Sequence, residues 1–152
     1  MTEAPLWFTI GATVWGMLAP PVAYIVGRRN EKRAAVPNVR PDFTAGSGGY
    51  SGHLEIQART SEDIIVSSID AAGRIHTGDT TMLMDNEGNI TGHDYDFQRG
   101  PRSVYWRIPG GEVRRFKVVV DSLYDFDIRL TISSSASTLV DRSLIVRALQ
   151  MP

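Results

Sequence analysis

The chain has 152 residues, a formal net charge of −1, 22% charged and 42% apolar side chains, and no cysteine. That length suits one domain with an appendage, and the balanced composition excludes a collagen-like, fully disordered or polytopic membrane chain. Absent thiols exclude a disulfide-stapled scaffold, a thiol nucleophile, a cysteine-ligated zinc site and an iron–sulfur cluster, while a charge near zero lacks the basic footprint of a general nucleic-acid binder.

The average conceals two unlike parts. Pro5 to Gly27 contains no Asp, Glu, Lys, Arg or His. At about 1.5 Å per residue such a helix reaches roughly 34 Å, enough to cross a hydrocarbon core of about 30 Å. Trp7 and Tyr24 sit near its two ends, where amphipathic rings favour the headgroup region. A cleaved signal peptide would carry cations ahead of the apolar run, but residues 1–4 hold only Glu3. A buried core helix would need more surrounding protein than this chain supplies. The reading is a single transmembrane anchor over residues 1–33, with the lipid bilayer as its partner.

Arg28, Arg29, Lys32 and Arg33 crowd the C-terminal flank of that run. The positive-inside rule then puts the N-terminus outside and the C-terminal body in the cytoplasm, and the same cations face anionic headgroups. Pro20 and Pro21 remove two backbone donors and predict a kink. Ala12, Gly16, Ala19, Ala23 and Gly27 form a strip of small side chains that lets a second transmembrane helix, its own copy or a larger partner's, approach closely.

Residues 34–52 combine Pro37, Pro41, Gly46, Gly48, Gly49 and Gly52 and read as a linker, with a reach of about 60 Å at about 3.3 Å per residue. From His53 to Pro152 the apolar period becomes two. Leu54, Ile56 and Ala58 alternate with polar neighbours, as do Phe116 and Val118, then Phe126, Ile128, Leu130 and Ile132, and more weakly Leu144, Val146 and Ala148. Further strands are expected at 64–69, 74–77, 81–84, 89–91 and 104–108. Turn chemistry at Ala71-Ala72-Gly73, Asp85 to Gly88, Arg99-Gly100-Pro101 and Pro109-Gly110-Gly111 separates them at the spacing of an all-β sandwich. The fold class is mainly β: an immunoglobulin-like antiparallel sandwich behind a single membrane helix. Trp106 is the expected central core aromatic, with Phe116 and Phe126 beside it.

The three histidines, His53, His76 and His93, show no metal-ligand spacing, and the chain has neither a nucleophile elbow nor a phosphate-cradling loop that leads into a helix. No cofactor and no enzymatic activity are expected. Two Asp-x-Asp pairs stand out, Asp94-Tyr95-Asp96 and Asp125-Phe126-Asp127. Leu123-Tyr124-Asp125-Phe126-Asp127 resembles the calcium-binding third loop of C2 domains. The resemblance implies Asp125 and Asp127 as ligands, with Ser133 where the family has its next aspartate. The alternation of 126–132 instead makes Asp127 and Arg129 a solvated pair on one strand face. The expectation is therefore a non-catalytic accessory or interaction subunit of a membrane assembly, with a membrane-tethered ligand or calcium sensor as the alternative.

Overall fold

The computed structural model describes residues 24–46, 48–78, 81–122 and 124–148. The chain divides into two units, Met1–Ala34 and Ala35–Pro152. In the first, residues 24–34 are helical with every side chain exposed. No helix among the described residues is long and apolar enough to cross a membrane. Most of the predicted span, including Ala12, Gly16, Ala19, Pro20, Pro21 and Ala23, lies outside the described residues.

The second unit is built of antiparallel strands: β1 (Asn38–Gly46), β2 (Gly49–Gln57), β3 (Ile64–Ala71), β4 (Arg74–Thr77), β5 (Thr81–Met84), β6 (Ile90–Asp94), β7 (Gln98–Arg99), β8 (Arg102–Ile108), β9 (Val113–Asp121), β10 (Phe126–Ser134) and β11 (Arg142–Ala148). They form a five-stranded sheet ordered β1-β2-β9-β4-β7, a four-stranded sheet ordered β11-β10-β3-β8, and the separate hairpin β5-β6. Period-two alternation fixes which faces meet. Phe126, Ile128, Leu130 and Ile132 of β10 join Ile64, Val66 and Ile69 of β3, and from the other sheet Leu54, Ile56, Ile75, Val118 and Val120, in one core. Each such side chain contributes about 1.5–3 kcal/mol by leaving water. Ser67 is the extra residue of a bulge in β3, bonded through its hydroxyl to the Thr131 carbonyl (3.3 Å).

The segment read as a linker is corrected by the structure. Residues 38–46 and 49–52 pair within the β1–β2 hairpin, and Ala35, directly after the last helical residue, is already 1% exposed in the sandwich core. Val39, Pro41 and Phe43 do alternate toward the core, but Pro41 disguised the pattern; it is tolerated because β1 is an edge strand. Gly49 and Gly52 serve close approach rather than slack. A Cβ on Gly52 would lie 2.0 Å from the Asp42 carbonyl oxygen, so only glycine lets β1 lie in register against β2. The strands expected after His53 are all present, with β7 an addition too short to leave a periodic signal.

The aromatic centre also differs from expectation. Phe126 is buried, edge-on to Phe43 (5.5 Å) and tilted against Tyr50 (5.1 Å). Trp106 is half-buried at the flank, stacked on Phe116 at 4.2 Å and 7°. It lies on β8, the edge strand of its sheet, and an edge position leaves one side of the indole open.

Candidate functional site

On the 24–34 helix, Arg28, Lys32, Arg29 and Arg33 fall within an arc of about 140° at about 100° per residue, so the four cations share one face. Tyr24 borders it, with the Arg28 guanidinium 6.0 Å from its ring centroid. Tyr24, Ile25 and Val26 are 51–66% exposed, an apolar stretch directly before the basic face. Gly27 lies between the two, and a Cβ added there would meet nothing within 4 Å.

The outer face of the five-stranded sheet is a second surface. Its register sets Arg40 beside Glu55 beside Arg115, and Asp42 beside His53 beside Lys117. Arg115 bridges the rows, reaching Glu55 and Asp42 at 3.5 Å each. Such exposed pairs contribute about 0–1 kcal/mol each, so this half is a solvated charged ladder. At its other end Val119 pairs with Ser51 and His76, and both Val119 and His76 are buried although they face away from the core. The segment carrying Tyr95 and Phe97 covers them. Tyr95 meets the His76 ring edge-on at 5.4 Å and lies 5.3 Å from Phe97, while the Arg74 guanidinium sits 5.4 Å over Phe97 and donates to Asp121 (2.8 Å from Nε).

Two bonds hold this roof. His76 Nδ1 lies 3.2 Å from the Asp96 carbonyl oxygen; a carbonyl can only accept, so Nδ1 carries the proton. Arg102 donates to the same carbonyl (2.6 Å) and to the Asp96 carboxylate (3.1 Å). His76 Nε2 is left buried without a partner among the described residues. Between the roof and the Gly46–Gly49 turn runs a cavity of about 380 Å³, walled by Tyr95, Phe97, Tyr50 and Val119 and mostly apolar. Its chemistry suits a flat or apolar group, since among the described residues no charged side chain lines it.

The acidic pairs are absorbed differently from one another. Asp96 fixes the roof through Arg102, and Asp94 stands opposite Thr81 in the β5–β6 hairpin. Asp127 is exposed on β10 opposite Arg147, with Phe126 turned into the core between it and Asp125. Ser133, near the end of β10, accepts from the Asp141 backbone amide (3.0 Å) just before β11. His53 is exposed, His76 is buried and His93 stands opposite Met82. Among the described residues no group of three or more His, Asp or Glu could hold a metal ion. The roof residues Tyr95 and Phe97 escaped sequence reading because the Asp-Tyr-Asp-Phe run draws attention to its carboxylates, and the rings matter only once β4 places His76 beneath them.

No protein-family model matches the sequence, and no functionally characterised protein is significantly similar to it.

Proposed function

We propose that this chain is a non-catalytic, single-pass membrane protein whose anchor presents an immunoglobulin-like sandwich on the cytoplasmic side as an interaction subunit of a larger membrane assembly. The supporting observation is the 24–34 helix: three exposed apolar side chains pass directly into four cations on one face, the order expected where a helix leaves hydrocarbon and meets anionic headgroups. The uncharged run from Pro5 continues that stretch in sequence, and its small-residue strip suits a neighbouring helix.

The immunoglobulin-like reading draws on strand order. With β5–β8 set aside, β1-β2-β9-β4 faces β11-β10-β3, which corresponds to the two sheets of a seven-stranded immunoglobulin domain. Residues 78–112 then form one excursion inserted between the fourth and fifth strands, and it carries the roof segment, the β5–β6 hairpin and Trp106. Surface chemistry concentrated on an insertion over a regular scaffold is the arrangement of a recognition module.

Flotation of the full chain with liposomes, resistance to alkaline extraction, and a reporter fused after Pro152 test the proposal. Retention in the membrane with a cytoplasmic reporter is expected. A chain that stays soluble and monodisperse without detergent overturns the anchor, and an exported reporter overturns the orientation. The second reading, a tethered ligand sensor, draws on the roofed cavity rather than on the aspartate pairs. Saturable binding of a small aromatic probe that is lost in Tyr95→Ser would favour it.

A further inference from the structure

The β5–β6 hairpin belongs to neither sheet. Met82, Met84 and Ile90, at 53%, 61% and 57% exposure, share one of its faces by alternation and register with His93, whose ring lies 6.3 Å from Tyr95. A lone two-stranded hairpin is marginally stable in water, and three large apolar side chains on one open face mark a surface that is covered in use. Its charge narrows the occupant. Residues 81–94 carry Asp85, Glu87 and Asp94 and no Lys or Arg. An anionic bilayer repels such a finger, and two fingers paired with each other would set carboxylates side by side.

The same molecule holds a complementary receptor. A cavity of about 340 Å³ is floored by the Trp106–Phe116 stack and rimmed by Arg115, Lys117 and His53, with Gly78 at its edge. Arg115 is engaged with Glu55 and Asp42, whereas Lys117 makes no ion pair among the described residues. The apolar floor matches the methionine face, and the Lys117 ammonium on the rim matches the acidic turn. Gly78 lies just before the root of the hairpin, so finger and receptor are neighbours in sequence and two copies can exchange fingers reciprocally. Such an exchange closes as a two-fold dimer instead of propagating as a fibre.

We propose that the β5–β6 hairpin docks into the Trp106–Phe116 cavity of a second copy of this chain. The proposal stands on the sandwich alone and does not depend on the membrane reading.

The absence of native cysteine permits a clean test on the purified full chain in detergent. Single variants Met84→Cys and His53→Cys, mixed and mildly oxidised, are expected to cross-link to each other and not within either variant alone. By sedimentation, Met84→Asp is expected to raise the dimer dissociation constant about tenfold or more, and Lys117→Glu about threefold. Glu87→Lys combined with Lys117→Glu is expected to regain dimerisation. All these positions are exposed, so unchanged melting temperatures confirm that each variant folds. A monomer at all concentrations, or a Met84–Met84 cross-link within one variant, overturns the proposal. A dimer that survives Met84→Asp also overturns it, reporting association elsewhere, such as through the small-residue strip, and leaves the membrane reading intact.

Discussion

His76 Nδ1 and the carbonyl oxygen of Asp96 lie 3.2 Å apart across 20 residues of sequence. This bond ties β4, the scaffold strand that leads into the excursion, to the segment that closes over the outer face of the five-stranded sheet. The histidine gives the roof a polar anchor and a flat ring for Tyr95 to meet edge-on. Its second nitrogen has no partner among the described residues, so anchoring and destabilisation reside in one side chain.

That duality predicts an unequal pair of variants. His76→Ala loses the bond and the ring packing and should lower unfolding free energy by about 1–3 kcal/mol, with faster amide exchange over residues 95–97. His76→Phe loses the bond, removes the orphaned nitrogen and keeps the ring, so its cost should stay below about 1 kcal/mol. Urea unfolding with hydrogen exchange distinguishes them; equal losses would show that the bond alone holds the roof.

The aromatic centre makes a second prediction. Phe126 is 3% exposed between Phe43 and Tyr50, so Phe126→Ala should cost about 3–5 kcal/mol. Trp106→Ala, on an edge strand and half-buried, should cost clearly less although it deletes a larger side chain. Urea midpoints measured side by side would reverse in order if Trp106 were the true centre.

These two residues show what a sequence can and cannot disclose. Alternation in Phe126 to Ile132 names a strand and its inward face, because burial acts on every second side chain. It does not say which strand lies at an edge, and edge position decides whether Trp106 is a core anchor or a flank. Pro41 illustrates the same gap: within a sheet it reads as a breaker, and only the outermost place of β1 makes it harmless. The roof was less legible still, since Tyr95 and His76 lie on separate segments and their meeting follows from long-range pairing of β4 with β7 and β9.

The glycines of the first hairpin predict a contrast between neighbours. Gly49 has φ 131°, and a Cβ there would lie 2.3 Å from the Val120 carbonyl oxygen, whereas one on Gly48 would meet nothing within 4 Å. Gly49→Ala should therefore destabilise by about 1–3 kcal/mol and disturb the β2–β9 register. Gly48→Ala should be near neutral. Thermal melts of the two variants settle the matter, and similar losses would mean that the turn, not the close approach, needs glycine.

Acid stability follows from two carboxylates with opposite neighbourhoods and the same sign. Asp63 accepts from the Arg107 side chain (2.7 Å) and the Gly110 amide (3.1 Å), which hold its carboxyl below the ordinary value of 3.8. Asp85 is lowered chiefly by the Asn89 backbone amide (2.8 Å) and side chain (3.1 Å), bonds that close the β5–β6 turn. A depressed folded-state pKa stabilises fully above the unfolded value, where both states are ionised. Below about pH 4 the unfolded chain takes up the proton first, and the stabilisation fades until the folded carboxyl is protonated too. The melting temperature should thus fall as the pH drops below about 4. Asp63→Asn should flatten that fall in a global melt, because Asp63 joins the loop before β3 to the Pro109–Gly111 turn. Asp85→Asn should act on hydrogen exchange in β5 and β6, since this hairpin pairs with neither larger sheet and local opening of such an element is read by exchange. A global acid transition unchanged in Asp63→Asn would remove this carboxylate from the account and leave the remaining surface acids to explain it.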